Sequence, residues 1–326
     1  MEVKEKQFQI ASEEAFISQA LEIFRYQYRH NLVYHDYVEI LGVKTESVTK
    51  LEEIPFLPIE FFKTHDVICG NAPPQAIFKS SGTTGVTRSR HSLNDLTIYR
   101  HSLQKGFSRF YGPPEEVQFL ALTPTPEQAP DSSLIFMVQH LMDLSLSPEN
   151  GYFLTSFSGL TARLKQRRPP GKKVMLIGLT YALLQFAENY PGDYSPLIVV
   201  ETGGMKGRRK EITREELHGF LTEAFRVETI HSEYGMTELL SQAWSKGEGL
   251  FSPVPWMKVL IRDVNDPFSY AEPGQTGGIN VIDLANQHSC SFIATQDLGR
   301  LRQNGQFEVL GRFESGDVRG CSLMSW

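Results

Sequence analysis

Between residues 117 and 230, short β-rich runs alternate with longer segments of helical periodicity, and this rhythm restricts the fold more than any other feature. Val117 to Leu122 precedes Ser132 to Leu144, and Lys173 to Ile177 precedes Leu179 to Glu188. Leu197 to Val200 then leads through Gly203-Gly204 to a helix opened by Thr213-Arg-Glu-Glu216, with Ile212 and Leu217 at hydrophobic-staple positions. Val227 to Ile230 is the next strand. Beyond about residue 250 the pattern turns to strands and tight turns, and Asn304-Gly305 suits a two-residue type I′ hairpin. The expected architecture is α/β, divided into αβ subdomains over 1–250 and a small β subdomain over 251–326.

Before the rhythm begins, Phe16, Ala20, Leu21, Phe24 and Tyr28 stand at helical spacing behind Ser12 as N-cap, with Glu13 and Glu14 in the first turn. Pro55 and Pro58 break the apolar stretch Ile54 to Lys63, which reads as a packed loop. A net charge of -6 argues against a nucleic-acid partner, because neutralising a phosphate backbone needs a dense basic surface. The basic patch Lys206 to Lys210 is either a solvated loop or an attractor for an anion. Cys69, Cys290 and Cys321 are widely spaced, suggesting neither a disulfide framework nor a zinc site, and a reducing cytoplasm fits. No apolar h-region opens the chain and no apolar stretch is long enough to span a membrane. No histidine stands in an H-E-x-x-H pattern; His231 is either structural or part of an acyl pocket.

Two segments carry chemistry. In Lys79-Ser80-Ser81-Gly82-Thr83-Thr84-Gly85, small residues let the backbone approach an anion and hydroxyls can donate to phosphate oxygens. An ordinary turn has the same composition. In Ser232-Glu233-Tyr234-Gly235-Met236-Thr237-Glu238, expected beyond the carboxyl end of the Val227 to Ile230 strand, Tyr234 offers a flat face for a base. Thr237 offers a hydroxyl for phosphate, and Glu238 a hard oxygen for magnesium. A capped helix start is the plain alternative.

In this order the two segments resemble the adenylate-forming superfamily, which includes acyl-CoA synthetases, luciferase and peptide-synthetase adenylation domains. The resemblance implies that ATP and Mg2+ are bound. Ser80, Ser81, Gly82, Thr83, Thr84 and Gly85 would grip the triphosphate. Tyr234, Gly235, Met236, Thr237 and Glu238 would hold adenine and the metal, and Thr84 and Glu238 would serve the chemistry itself. Gly203-Gly204 looks like the adenine-side loop, Asp297 like the ribose-binding aspartate, and Gly311-Arg312 like the hinge.

The ending Leu310-Gly311-Arg312 to Cys321-Ser322-Leu323-Met324, with Ile54 to Lys63, is similar to bacterial bioluminescence acyl-protein synthetases. That likeness implies a carboxylic acid substrate, fatty or aryl, and Cys321 as the nucleophile that takes the acyl group. An acyl-accepting protein, such as a reductase or carrier, would follow. Arg319 nearby would favour the thiolate. The lid domain that supplies a lysine in most of the superfamily has no counterpart here, and Val86-Thr87-Arg88 stands where the phosphate loop usually has a lysine. Arg88 or Arg90 would supply its charge. A CoA or carrier-protein ligase, similar to phenylacetate-CoA ligases, and a non-catalytic nucleotide or partner binder are the rival readings.

Overall fold

A computed structural model describes residues 6–81, 87–166, 171–203 and 212–313. The strands are β1 (Leu57–Pro58), β2 (Ala76–Lys79), β3 (Arg90–Leu93), β4 (Val117–Leu122), β5 (Gly151–Tyr152), β6 (Lys173–Leu179) and β7 (Ile198–Thr202). They continue with β8 (Ile230–Tyr234), β9 (Ala243–Ser245), β10 (Leu250–Pro253), β11 (Met257–Arg262), β12 (Thr276–Asp283), β13 (Phe292–Leu301) and β14 (Phe307–Arg312). The helices are α1 (Glu13–His30), α2 (Leu32–Ile40), α3 (Phe61–Thr64), α4 (Leu96–Tyr111), α5 (Ser133–Ser145), α6 (Phe157–Leu164), α7 (Thr180–Asn189) and α8 (Arg214–Phe225).

Twelve strands make one mixed sheet in the order β11-β12-β13-β14-β10-β9-β8-β7-β6-β4-β5, with β1 alongside β13. From β5 to β8 the pairing is parallel, and from β8 to β11 it is antiparallel. The expected α/β class is therefore present. All six residues of β4 are buried, as are six of seven in β6, which follows from helices covering both faces of the parallel half. After β4 the chain places β5 on one side and returns to lay β6 on the other. Such a reversal marks the end of an open α/β sheet at which ligands generally bind, the carboxyl ends of its strands.

One core, including Phe107, Phe119, Trp244 and Phe292, fills the α4 face and the antiparallel half. The other lies under α6, α7 and α8, where Phe186 is fully buried among Phe157, Tyr190, Tyr194 and Phe225. Truncating such a ring to alanine costs about 3–5 kcal/mol.

Ser12 caps α1 by accepting from Ala15 N at 3.2 Å. Phe16, Ala20 and Phe24 are buried as expected, but Ile23 and Gln27 complete the inner face while Leu21 and Tyr28 flank it. The capping box of α8 is formed, with Glu216 N donating to Thr213 Oγ1 and Thr213 N to Glu216 Oε2. The Ile54 to Lys63 stretch is packed, yet it is more than a loop: Leu57 and Pro58 pair in parallel with Ile293 and Ala294, and α3 follows. The turn between β13 and β14 also differs from a type I′ hairpin. Only Gly305 has positive φ there, at 81°. Arg302 N donates to Gln306 O and Gly305 N to Arg302 O, closing a three-residue loop with glycine in its left-handed position.

Candidate active site

Strands β2 and β3 form a hairpin apart from the main sheet, pairing Phe78 with His91 and Lys79 with Arg90. Its tip carries the first motif. The neck is tied by Ser80 N to Ser89 O at 3.1 Å and by Ser89 N to Ser80 Oγ at 2.9 Å. Ser80 thus keeps only its own hydroxyl proton for a ligand, while Ser81 is exposed. Gly82, Thr83, Thr84 and Gly85 lie outside the described residues. Arg88 donates to the carbonyls of Lys79 and Ser80 and pairs with Asp131 at 3.2 Å, and Arg90 pairs with Asp66 at 3.2 Å. Both guanidiniums are engaged in binding the hairpin to its surroundings.

The second motif straddles a strand end instead of lying wholly beyond it. Antiparallel pairing with β9 (Ser232 with Ser245, Glu233 with Trp244, Tyr234 with Ala243) extends the ladder to Tyr234, so only Gly235 to Glu238 form the loop. No helix starts there. Two buried side chains grip consecutive carbonyls of this loop. His91 Nδ1 meets Thr237 O at 2.8 Å, and Asn286 Nδ2 donates to Glu238 O at 2.8 Å. Burial pushes His91 down to about 4, against the two acceptors that face its ring nitrogens, Thr237 O and Asn286 Oδ1.

The Glu238 side chain is only 4% exposed. Burial raises its pKa, offset in part by a hydrogen bond with Ser89 and by the charges of Arg312 and Lys63. It forms no salt bridge with a described residue. A desolvated carboxylate with no described cation in ion-pair contact fits a divalent cation. Among the described residues no cluster of three or more acidic, histidine or cysteine ligands exists, so a cation here would take its other ligands from phosphate and water, as magnesium does.

On the other side of the loop, the Tyr234 hydroxyl donates to Asp297 Oδ2 at 2.8 Å, and Arg312 Nε donates to Asp297 Oδ1 at 2.9 Å. Asp297 and Arg312 face one another across the β13–β14 pairing. The Tyr234 ring, 8% exposed, meets Phe251 and Phe307 edge-on at 5.8 and 5.4 Å. Burial and the negative charge of Asp297 raise its pKa far above the ordinary tyrosine value. Gly203 leaves β7 with φ 76°, a conformation that glycine adopts without strain. Gly204 lies outside the described residues.

The ends of β7 and β8 are joined by a pair that the motif assignments passed over. Thr202 Oγ1 donates to Glu233 Oε2 at 2.6 Å. Burial first, and the charge of Glu201 second, raise Glu233 to about 7 against the pull of that hydrogen bond. A Cβ at Gly235 would stand 2.3 Å from Glu233 Oε1, so glycine there makes room for the carboxyl group. On the opposite face of β7, burial opposes the charge of Glu201, but His218 and Arg214 outweigh it and hold the carboxyl below its usual range. His231, pushed down to about 4 mainly by burial, contacts the Tyr111 hydroxyl at 3.1 Å.

Contacts thus connect Ser80, through Ser89, to Glu238, and Gly203, through Thr202 and Glu233, to Tyr234, Asp297 and Arg312. Met236 packs partly buried against the core. Cys69 and Cys290 are buried with raised thiol pKa values, Cys69 to about 12. Cys321, Arg319 and the patch Lys206 to Lys210 lie outside the described residues. His91, Asn286 and Glu233 were not found from the sequence. The first two act through backbone carbonyls, for which side-chain motifs hold no signal, but an acidic residue just before Tyr234 in a buried strand was a visible anomaly.

A model of the acyl-protein synthetase family, LuxE, matches residues 5–325. No curated protein sequence matches the chain. Solved structures sharing the fold include ATP-bound MatB from Rhodopseudomonas palustris, 15% identical, with a TM-score of 0.54 over 73% of this chain and 48% of that one. An open conformation of 2-hydroxyisobutyryl-CoA ligase in complex with 2-HIB-AMP and CoA is 12% identical, with a TM-score of 0.68 over 95% of this chain and 77% of that one. The amide bond synthetase McbA from Marinactinospora thermotolerans is 18% identical, with a TM-score of 0.51 over 72% and 48%. The chain spans about half the length of MatB and McbA.

Proposed function

The chain belongs to the acyl-protein synthetase family, LuxE, and from that premise we propose that it activates a carboxylic acid with ATP and transfers the acyl group to Cys321. The acid is fatty or aromatic. The observation that carries this reading is the hydrogen-bonded series Tyr234, Asp297 and Arg312, with Cys321 nine positions beyond Arg312 in the sequence. Phe313 follows Arg312, which is bonded to Asp297 and through it to Tyr234, so Phe313 stands at the rim of the site. Cys321 is eight positions beyond Phe313. Extended chain covers about 3.3–3.6 Å per residue, which gives the thiol a reach of a little under 30 Å.

In the first step the substrate carboxylate attacks the α-phosphorus of ATP and pyrophosphate leaves. The phosphate loop at the tip of the β2–β3 hairpin holds the triphosphate, and Thr84 donates to it. Tyr234, Asp297 and Gly203 position the nucleoside, and Glu238 supplies the carboxylate for magnesium. When bound, magnesium neutralises phosphate charge as pyrophosphate departs. In the second step the Cys321 thiolate attacks the acyl carbonyl carbon, the bond to the phosphate oxygen breaks, and AMP leaves. A reductase or carrier protein then receives the acyl group. The likeness to 2-hydroxyisobutyryl-CoA ligase over 95% of the chain favours one second reading, in which an external thiol accepts the group directly.

Intact-protein mass spectrometry after incubation with Mg-ATP and a panel of fatty and aromatic acids tests the proposal, alongside an assay for AMP. A hydroxylamine-sensitive adduct on Cys321 with AMP release is the expected result. Acid-dependent pyrophosphate exchange without an adduct points to an external acceptor. Neither signal with any acid overturns adenylation itself.

A further inference from the structure

The phosphate-loop hairpin and the Thr237–Glu238 loop are 146 residues apart where His91 joins them, and that joint is a buried ring. His91 sits in β3, opposite Phe78, with no solvent exposure. Its Nδ1 reaches Thr237 O at 2.8 Å, and its other nitrogen lies 3.1 Å from Asn286 Oδ1. Asn286 cannot turn freely, because its amide nitrogen already donates to Glu238 O and Cys290 O, each at 2.8 Å. Phe62 closes the ring edge-on at 5.6 Å. Two residues before His91 in the same strand approach, Ser89 hydrogen-bonds the Glu238 side chain while its N–H holds Ser80. Strand β3 therefore touches the second motif at its backbone through His91, and Ser89, just before the strand, touches its carboxylate.

We infer that His91 is a positioning residue that fixes the neck of the β2–β3 hairpin, at Ser80 and Ser89, against the Glu238 carboxylate, the group that would hold magnesium. The inference rests on the nucleotide-site reading above. It assigns no chemical step to His91, whose work is done by one N–H donated to Thr237 O.

Two variants separate that N–H from mere filling of space. In His91→Asn the amide nitrogen falls where Nδ1 stands, whereas in His91→Gln it falls near the place of Nε2. Both lose the ring's packing against Phe62, so their melting temperatures should drop alike. Calorimetric titration of ATP, with magnesium and then with EDTA, reads the gain in affinity that magnesium provides. Wild type and His91→Asn should show similar gains, and His91→Gln a gain roughly ten-fold smaller, with binding in EDTA nearly unchanged among the three. Equal gains in the two variants, or equal losses with and without magnesium, overturn the role given to His91. A wild-type protein with no magnesium-dependent gain overturns the nucleotide site, and this inference falls with it.

Discussion

The Tyr234 hydroxyl donates to Asp297 at 2.8 Å across 63 residues of sequence, joining the end of the parallel strands to the antiparallel half. Asp297 is 7% exposed, so its carboxylate depends on that donor, whereas the Arg312 side chain on its other oxygen is 77% exposed. Removing a hydrogen-bond partner from a buried charged group costs about 1–3 kcal/mol, but an exposed ion pair contributes about 0–1 kcal/mol. Thermal unfolding should therefore show Tyr234→Phe as clearly more destabilising than Arg312→Ala. The reverse order would mean that the arginine, not the tyrosine, holds Asp297.

Glu238→Gln should reduce acid-dependent pyrophosphate exchange by about 10²–10³-fold, as the loss of a preorganised charged group typically does. Stability should move the other way. Burial disfavours the charged Glu238, so a neutral amide of the same shape relieves a cost at pH 8, and the melting temperature should hold or rise. A parallel fall in both quantities would reduce Glu238 to a structural residue.

Cys321→Ala should spare acyl-AMP formation and abolish the protein thioester, which mass spectrometry with labelled acid reads directly. The assay is clean because the other two thiols are shielded. With burial pushing Cys69 up to about 12 and Cys290 higher still, neither should be alkylated by iodoacetamide at pH 8 until the protein is unfolded.

Glu233 gives stability a pH dependence of definite sign. Its folded pKa of about 7 stands above the ordinary 4.5, so the folded chain holds the proton more tightly. Stability from this group is full below about 4.5 and is lost as pH rises toward 7. At about 1.4 kcal/mol per pH unit, the loss is at most roughly 3 kcal/mol. Melting curves between pH 5 and 8 should fall with pH in wild type and flatten in Glu233→Gln. A slope that survives the substitution assigns the titration to another group.

Gly235→Ala should displace the Glu233 carboxyl, since the added Cβ would fall 2.3 Å from Oε1. The penalty should nearly vanish in a Glu233→Ala background, where the obstruction is gone. A double-mutant cycle with additive effects would show instead that Gly235 is required for its backbone alone.

Periodicity carried the fold because β4, β6 and β7 are buried on both faces, and a run such as Val117 to Leu122 can sit nowhere else. It failed at β8, where the alternation continues past Ile230 through His231 and Glu233. Those polar side chains point to the α4 layer and hid the last four strand residues. The β13–β14 turn was misjudged for a different reason. Asn304-Gly305 is equally at home in a two-residue or a three-residue loop, and only the pairing of Arg302 with Gln306 decides between them. Within the candidate site, Tyr234, Glu238, Asp297 and Arg312 stand at motif spacing in the sequence, and the structure joins Tyr234, Asp297 and Arg312 through hydrogen bonds. His91 and Asn286 were not legible, because what they hold is main chain, and any loop sequence offers the same carbonyls.

The amino-terminal helix carries no residue of the two motifs, yet it is not remote from them. Gln27, fully buried, donates to the carbonyls of Asn286 and Gln287 and accepts from Ser291 N, and the Asn286 side chain in turn holds Glu238 O. Displacement of α1 would thus reach Glu238, the residue proposed to hold magnesium, through one side chain and one peptide unit. The helix is a lever arm whose short end is the proposed nucleotide site.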